Sequence, residues 1–207
     1  MAQRERAALC DSALQAGPEA PTLCEGWDVR DLLAHLLVRE RSLLAVGIAV
    51  PALSGLTERE MGRVAKREFA TLVGQVRGGP PTLSIYGAPR MDRLLNTLEY
   101  LVHHEDIRRA QPGWTARTLP DADEKLVWAM ARSAGKRLAR SAPVAVRIEN
   151  VVTGSSVRLS DGEGEVTVRG RPSEVTLFLF GRKTHADVEL LGADADVARL
   201  SGTALGF

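Results

Sequence analysis

Along the first two thirds of the chain, apolar residues recur every three or four positions with polar residues between them. That period marks helices with one buried face. A first helix is expected over Gln3 to Leu14, stopping before AGPEAPT, where glycine and prolines break the pattern. A second opens in GWDVRDLLAHLLVRERSLLAV. Asp28 is placed there as its N-cap, and Asp31 adds negative charge to its first turn. TEREMGRVAKREFATLVGQV predicts one continuous helix over Thr57 to Val76, and GGPPTLSIYGAP a loop. A fourth helix runs from about Arg90 to Ala110, stopped by QPG. A fifth starts near Pro120 and Asp121 and ends near Arg140, before SAP. Long helices joined by loops predict an up-and-down bundle.

From Pro143 the period shortens. VAVRIENV, SSVRLS and GEVTVRG alternate or carry β-branched residues, DGEG is a turn, and three strands are expected. SEVTLFLFGR reads as a helix with Ser173 as N-cap and Gly181 at its end. ADVELLGADADVARLSG then reads as a strand followed by a short helix. The pattern thus predicts an α+β protein with a helical bundle over residues 1–141 and a small α+β domain over 142–207.

Composition narrows the partners. The chain has 207 residues, 44% of them hydrophobic and 26% charged, with a formal net charge of +1. That balance predicts a packed core and gives no reason to expect nucleic acid or an anionic membrane as a partner. The apolar stretch from Leu43 to Leu53 is interrupted by Gly47 and Pro51 and is too short to span a bilayer. The N-terminus, MAQRERAALCDSAL, lacks the apolar segment of a signal peptide. A cytoplasmic protein is therefore expected, with Cys10 and Cys24 reduced.

The candidate chemistry lies in EYLVHHEDIRRAQPG, residues 99–113. At about 100° per residue, Glu99 and His103 share one side of a helix and Asp106 falls beside them. Leu95, Leu98 and Val102 form the adjoining apolar stripe, and His104 points well away. A carboxylate and an imidazole one turn apart can reach one divalent ion, but a third ligand must come from elsewhere. His35, mid-helix between Leu32 and Leu36, is the other histidine of the helical half. The spacing alone leaves two readings open: a metal site, or a hydrogen-bonded polar edge on a bundle seam.

These same segments carry a family resemblance. PTLCEGWDVRDLLAHL resembles the N-terminal signature of the mycothiol-dependent maleylpyruvate isomerase family, a branch of the DinB-like metal-binding bundles. EYLVHHEDIRRA is similar to the family's second signature. SEVTLFLFGR and the closing ADVELLGADADVARLSG resemble its small α+β domain, which is related to sterol carrier proteins. The resemblance implies a DinB-like four-helix bundle around one divalent metal, usually zinc, with His35, Glu99 and His103 as its ligands. It further implies that the metal holds mycothiol as a thiolate. In isomerases the thiolate adds to a conjugated double bond, permits rotation and leaves; in S-transferases it attacks an electrophile. Arg182, in FGR, is the position that the resemblance suggests for binding a substrate carboxylate. Trp27 is expected to pack at the bundle seam, Asp106 either to orient His103 or to sit in solvent, and Cys24 to be a small buried apolar residue.

Two functions of different class follow. One is an isomerase or thiol S-transferase whose partners are a low-molecular-weight thiol and a small electrophile. The other is a non-catalytic binding or regulatory module in which the metal is structural. Two imidazoles with one carboxylate also suit iron or nickel. Nothing in the sequence specifies a homodimer, the substrate or the thiol.

Overall fold

The computed structural model describes residues 1–42, 54–80 and 89–206, with side chains in the last segment described from 96 onward. The apolar stretch from Leu43 to Leu53 and most of the expected GGPPTLSIYGAP loop lie outside these residues. The chain divides into two compact units, Met1–Thr115 and Ala116–Phe207.

The first unit is helical: α1 (Ala2–Ala16), α2 (Val29–Arg41), α3 (Ser54–Ala65), α4 (Phe69–Arg77) and α5 (Pro89–Arg109). The predicted cap on α2 is present, since the Asp28 side chain accepts from the backbone N–H of Asp31. The single helix expected over Thr57–Val76 is instead two. The chain leaves helical geometry after Ala65, and the Glu68 carboxylate then caps a new start by accepting from the N–H groups of Ala70 and Thr71. Lys66, Arg67 and Glu68 are all good helix formers, so the apolar period runs through a break that a local side-chain cap creates. Leu9 and Ala13 of α1, Leu32, Leu33 and Leu36 of α2, Leu72 and Val76 of α4, and Tyr100 and Ile107 of α5 form one core. A buried ion pair crosses it. Arg6 forks onto both oxygens of Glu40 at 2.8 and 2.9 Å, and the Tyr100 hydroxyl donates to the same carboxylate at 2.9 Å.

The second unit holds α6 (Asp121–Leu138), β1 (Ala145–Asn150), β2 (Ser156–Arg158), β3 (Glu165–Gly170), α7 (Pro172–Leu179), a 3₁₀ turn (Lys183–His185), β4 (Val188–Leu191) and α8 (Asp194–Gly202). The sheet order is β2-β1-β3-β4, with β1 and β3 parallel at the centre and both edge strands antiparallel. Val146 and Ile148 pair in register with Val166 and Val168, and these alternate residues turn into the core with Trp128, Val175 and Phe178. The sequence reading grouped α6 with the helical half and set the division at 141–142. By packing, α6 belongs to the second unit, where Trp128 and Leu138 join the sheet's core. Ser173 is not the N-cap of α7, because Pro172 takes the first helical position and moves the start back to Arg171. The backbone N–H and hydroxyl of Ser173 instead donate to the Glu124 carboxylate of α6 at 3.0 and 2.9 Å. An acid on α6 thus satisfies the first turn of α7.

Candidate metal centre

Two helices and one tied loop of the first unit build the site. His35 sits mid-way along α2, 8% exposed, between the fully buried Leu32 and Leu36. Glu99, His103 and Asp106 stand on successive turns of α5, as their spacing predicts. The loop between α1 and α2 is pinned from several sides. The Thr22 hydroxyl donates to the Trp27 carbonyl at 2.8 Å, and the Leu23 N–H to the Asp106 carbonyl at 3.1 Å. The turn passes through Gly26 at φ +77°, a region that glycine enters without steric cost. These constraints set the Trp27 ring 5.0 Å from the His35 ring and bring Cys24 onto Asp106.

The focus of the arrangement is one oxygen. Oε1 of Glu99 lies 3.3 Å from Nε2 of His35 and 3.3 Å from Nε2 of His103. One ligand atom from each of the three residues lies within 4.8 Å of the others. Ligand atoms held about 2.0–2.1 Å from a tetrahedral zinc stand roughly 3.3–3.4 Å apart, so both nitrogen-to-oxygen separations match two edges of such a site. Two imidazoles and a carboxylate are also a donor set that zinc takes when one position is left open. The residues present therefore fit a divalent cation. The three positions that the resemblance nominated are brought together.

Around them, the partners are specific. The Asp106 carboxylate, fully buried, lies 2.9 Å from Nδ1 of His103. This contact directs the other ring nitrogen towards Glu99, and it resolves the two readings of Asp106 in favour of an orienting partner. Cys24 donates from Sγ to Asp106 Oδ2 at 3.2 Å and lies 3.8 Å from His103 Nδ1. It is half-buried and polar-partnered, not the small apolar residue expected. Cys24, His103 and Asp106 form a second cluster of ligand-type atoms. Arg39, one turn beyond His35, was not anticipated. Its Nε lies 3.2 Å from Glu99 Oε1, and its Nη1 donates to Asn96 at 2.6 Å. An i, i+4 count from His35 finds Arg39, but nothing local says which carboxylate it reaches.

The electrostatics follow from burial and these contacts. Burial holds His35 below the ordinary imidazole range, against the pull of its hydrogen bond to Glu99. Burial alone would raise the Glu99 carboxyl, but hydrogen bonds from His103 and His35 hold it well below its usual range. Burial works against a charged His103 too, yet its hydrogen bonds to Asp106, Cys24 and Glu99 outweigh that and carry it well above the ordinary range.

His104 faces away from this cluster. Its Nδ1 lies 3.0 Å from Glu5 Oε2 and its Nε2 3.0 Å from the Ser12 hydroxyl, which ties α5 to α1. Arg182 and His185 belong to the second unit. The Arg182 guanidinium donates to the Phe180 carbonyl at 2.6 Å, and His185 closes the 3₁₀ turn. Neither cysteine forms a disulfide among the described residues. No helix among those residues is long and apolar enough to cross a membrane.

Residues 2–132 match the sequence profile of the mycothiol maleylpyruvate isomerase N-terminal domain. Among curated proteins there is no significant match. Two crystal structures of the mycothiol-dependent maleylpyruvate isomerase, one of them a point mutant, resemble the chain with a TM-score of 0.62. Sequence identity is 13%, over 91% of this chain and 89% of theirs. That likeness establishes the α+β fold.

Proposed function

The chain belongs to the mycothiol maleylpyruvate isomerase N-terminal domain family, and from that premise we propose that it binds one divalent cation, zinc, and uses it to run thiol-dependent isomerase or S-transfer chemistry. The observation that carries the reading is the convergence of His35 Nε2 and His103 Nε2 on Glu99 Oε1, both at 3.3 Å. His35, Glu99 and His103 are the proposed ligands. A bound zinc lowers the pKa of a thiol at its open position and so makes a nucleophilic thiolate available near neutral pH.

The chain's own residues prepare that position. Asp106 keeps the proton of His103 on Nδ1 and leaves Nε2 as the donor atom. Trp27 covers one side of the His35 ring. The structural neighbours are mycothiol-dependent, and mycothiol is the proposed cofactor here. The second substrate is a small electrophile; Arg182, in the second unit, is proposed as a residue that binds an anionic group. Such chemistry belongs in a reducing compartment, the cytoplasm.

The test is metal content of tag-free protein, followed by cobalt substitution and titration with mycothiol. About one equivalent of zinc, and a sulfur-to-cobalt charge-transfer band on adding thiol, is the expected result. Metal uptake with no spectral response to thiol would favour a structural ion in a binding module. No uptake after loading would leave a hydrogen-bonded seam and sink the proposal.

A further inference from the structure

Glu99 Oε1 has a third neighbour besides the two imidazoles. Arg39 Nε lies 3.2 Å away, and the Arg39 side chain is only 12% exposed. The guanidinium is held from its other end by Asn96. A permanent positive charge is therefore built against the same oxygen that a divalent ion would use. Arginine keeps its charge at any pH the fold survives, and its weakly hydrated fork tolerates burial better than lysine's ammonium.

The charges around the site can be counted. With His103 neutral, as a ligand must be, Glu99 and Asp106 contribute one negative charge each and Arg39 one positive, so among these described residues the sum is a single negative charge. A divalent cation turns this into a single positive charge. Without Arg39 the loaded site would be neutral. The guanidinium thus has two opposite effects. It competes with and repels the incoming cation, and it makes the loaded site attract an anion.

We propose that Arg39 is the specificity-determining residue of this centre: it weakens the hold on the metal and selects an anionic ligand, a thiolate, over a neutral one for the open position. The inference rests on the metal-binding reading above. In catalytic terms Arg39 acts through charge and through its grip on Glu99, so it is a positioning residue.

The experiment compares wild type with Arg39→Gln and Arg39→Lys. Zinc affinity is measured by chelator competition. The cobalt-loaded proteins are then titrated with 2-mercaptoethanol, which binds as an anion, and with imidazole, which binds neutral. Arg39→Gln is expected to bind zinc several-fold more tightly and 2-mercaptoethanol about tenfold more weakly, with imidazole unchanged. Arg39→Lys, keeping the charge, is expected to stay within about threefold of wild type for both. A damaged fold would weaken zinc, thiol and imidazole together, which is a different pattern. Parallel weakening of all three, or no change in any, overturns the role of Arg39 while leaving the metal site standing. Failure of wild type itself to take up zinc overturns the underlying reading, and this inference with it.

Discussion

Nδ1 of His103 sits 2.9 Å from the buried carboxylate of Asp106, so the ring's orientation is fixed by the chain's own residues. Partners of this kind fix a ligand's tautomer and raise its basicity, and their loss typically costs 10–100-fold in metal affinity. Asp106→Asn should therefore weaken zinc binding by that margin in chelator competition, with the helical circular dichroism retained. Unchanged affinity would show that Asp106 serves the fold alone.

His103 and His104 are neighbours in sequence with separate duties. His103→Ala is expected to abolish stoichiometric zinc while leaving the bundle folded. His104→Ala should keep its zinc but lose about 1–3 kcal/mol of stability in denaturant melts, because it removes the contacts to Glu5 and Ser12. Loss of zinc in His104→Ala, with the fold intact, would contradict this division.

Zinc uptake should release protons. Burial opposes the charged form of His103, but its contacts to Asp106, Cys24 and Glu99 keep it protonated above the usual imidazole range in the metal-free protein. A ligand nitrogen must be bare, so the cation has to displace that proton. Affinity should fall about tenfold per pH unit as pH drops below the His103 titration. Calorimetry in buffers of different ionisation enthalpy reads the release directly, and a pH-independent affinity between pH 6 and 8 would refute it.

The two thiols should differ in reactivity. Burial pushes the Cys10 thiol up to about 11, with nearby Arg77 and Arg6 only partly offsetting it. Iodoacetamide at pH 8 is expected to modify Cys24, which is half-buried, and to spare Cys10 until the protein unfolds; mass mapping of the adducts decides. The same shift has a stability consequence. An unfolded Cys10 ionises near 9 and the folded one near 11, so the native state holds the extra proton between them. Stability should fall as pH rises through that window, by about 2–3 kcal/mol at its upper end. Equal melting midpoints for wild type and Cys10→Ala across pH 9–11, relative to pH 8, would remove Cys10 as the cause.

What the sequence determined by itself is local. Helical period placed α1, α2, α5 and α6 to within a few residues, and an Asp followed by an apolar run marked the cap on α2. The period also put Glu99, His103 and Asp106 on one side of α5. These properties depend on residues a few positions apart, whose relative directions the helix dictates. What the tertiary structure decided is which groups meet across elements. It closed Glu99 Oε1 between His35 and His103, laid Arg39 on that oxygen, and brought Cys24 onto Asp106. It assigned α6 to the sheet, and it let Glu68 interrupt a run of helix formers. Apart from the Glu68 cap, a local side-chain bond to backbone N–H groups, each of these is a meeting of groups that propensity treats as independent. Its partner is chosen by packing and by the several kcal/mol cost of burying a charge alone, and neither acts until the chain has folded.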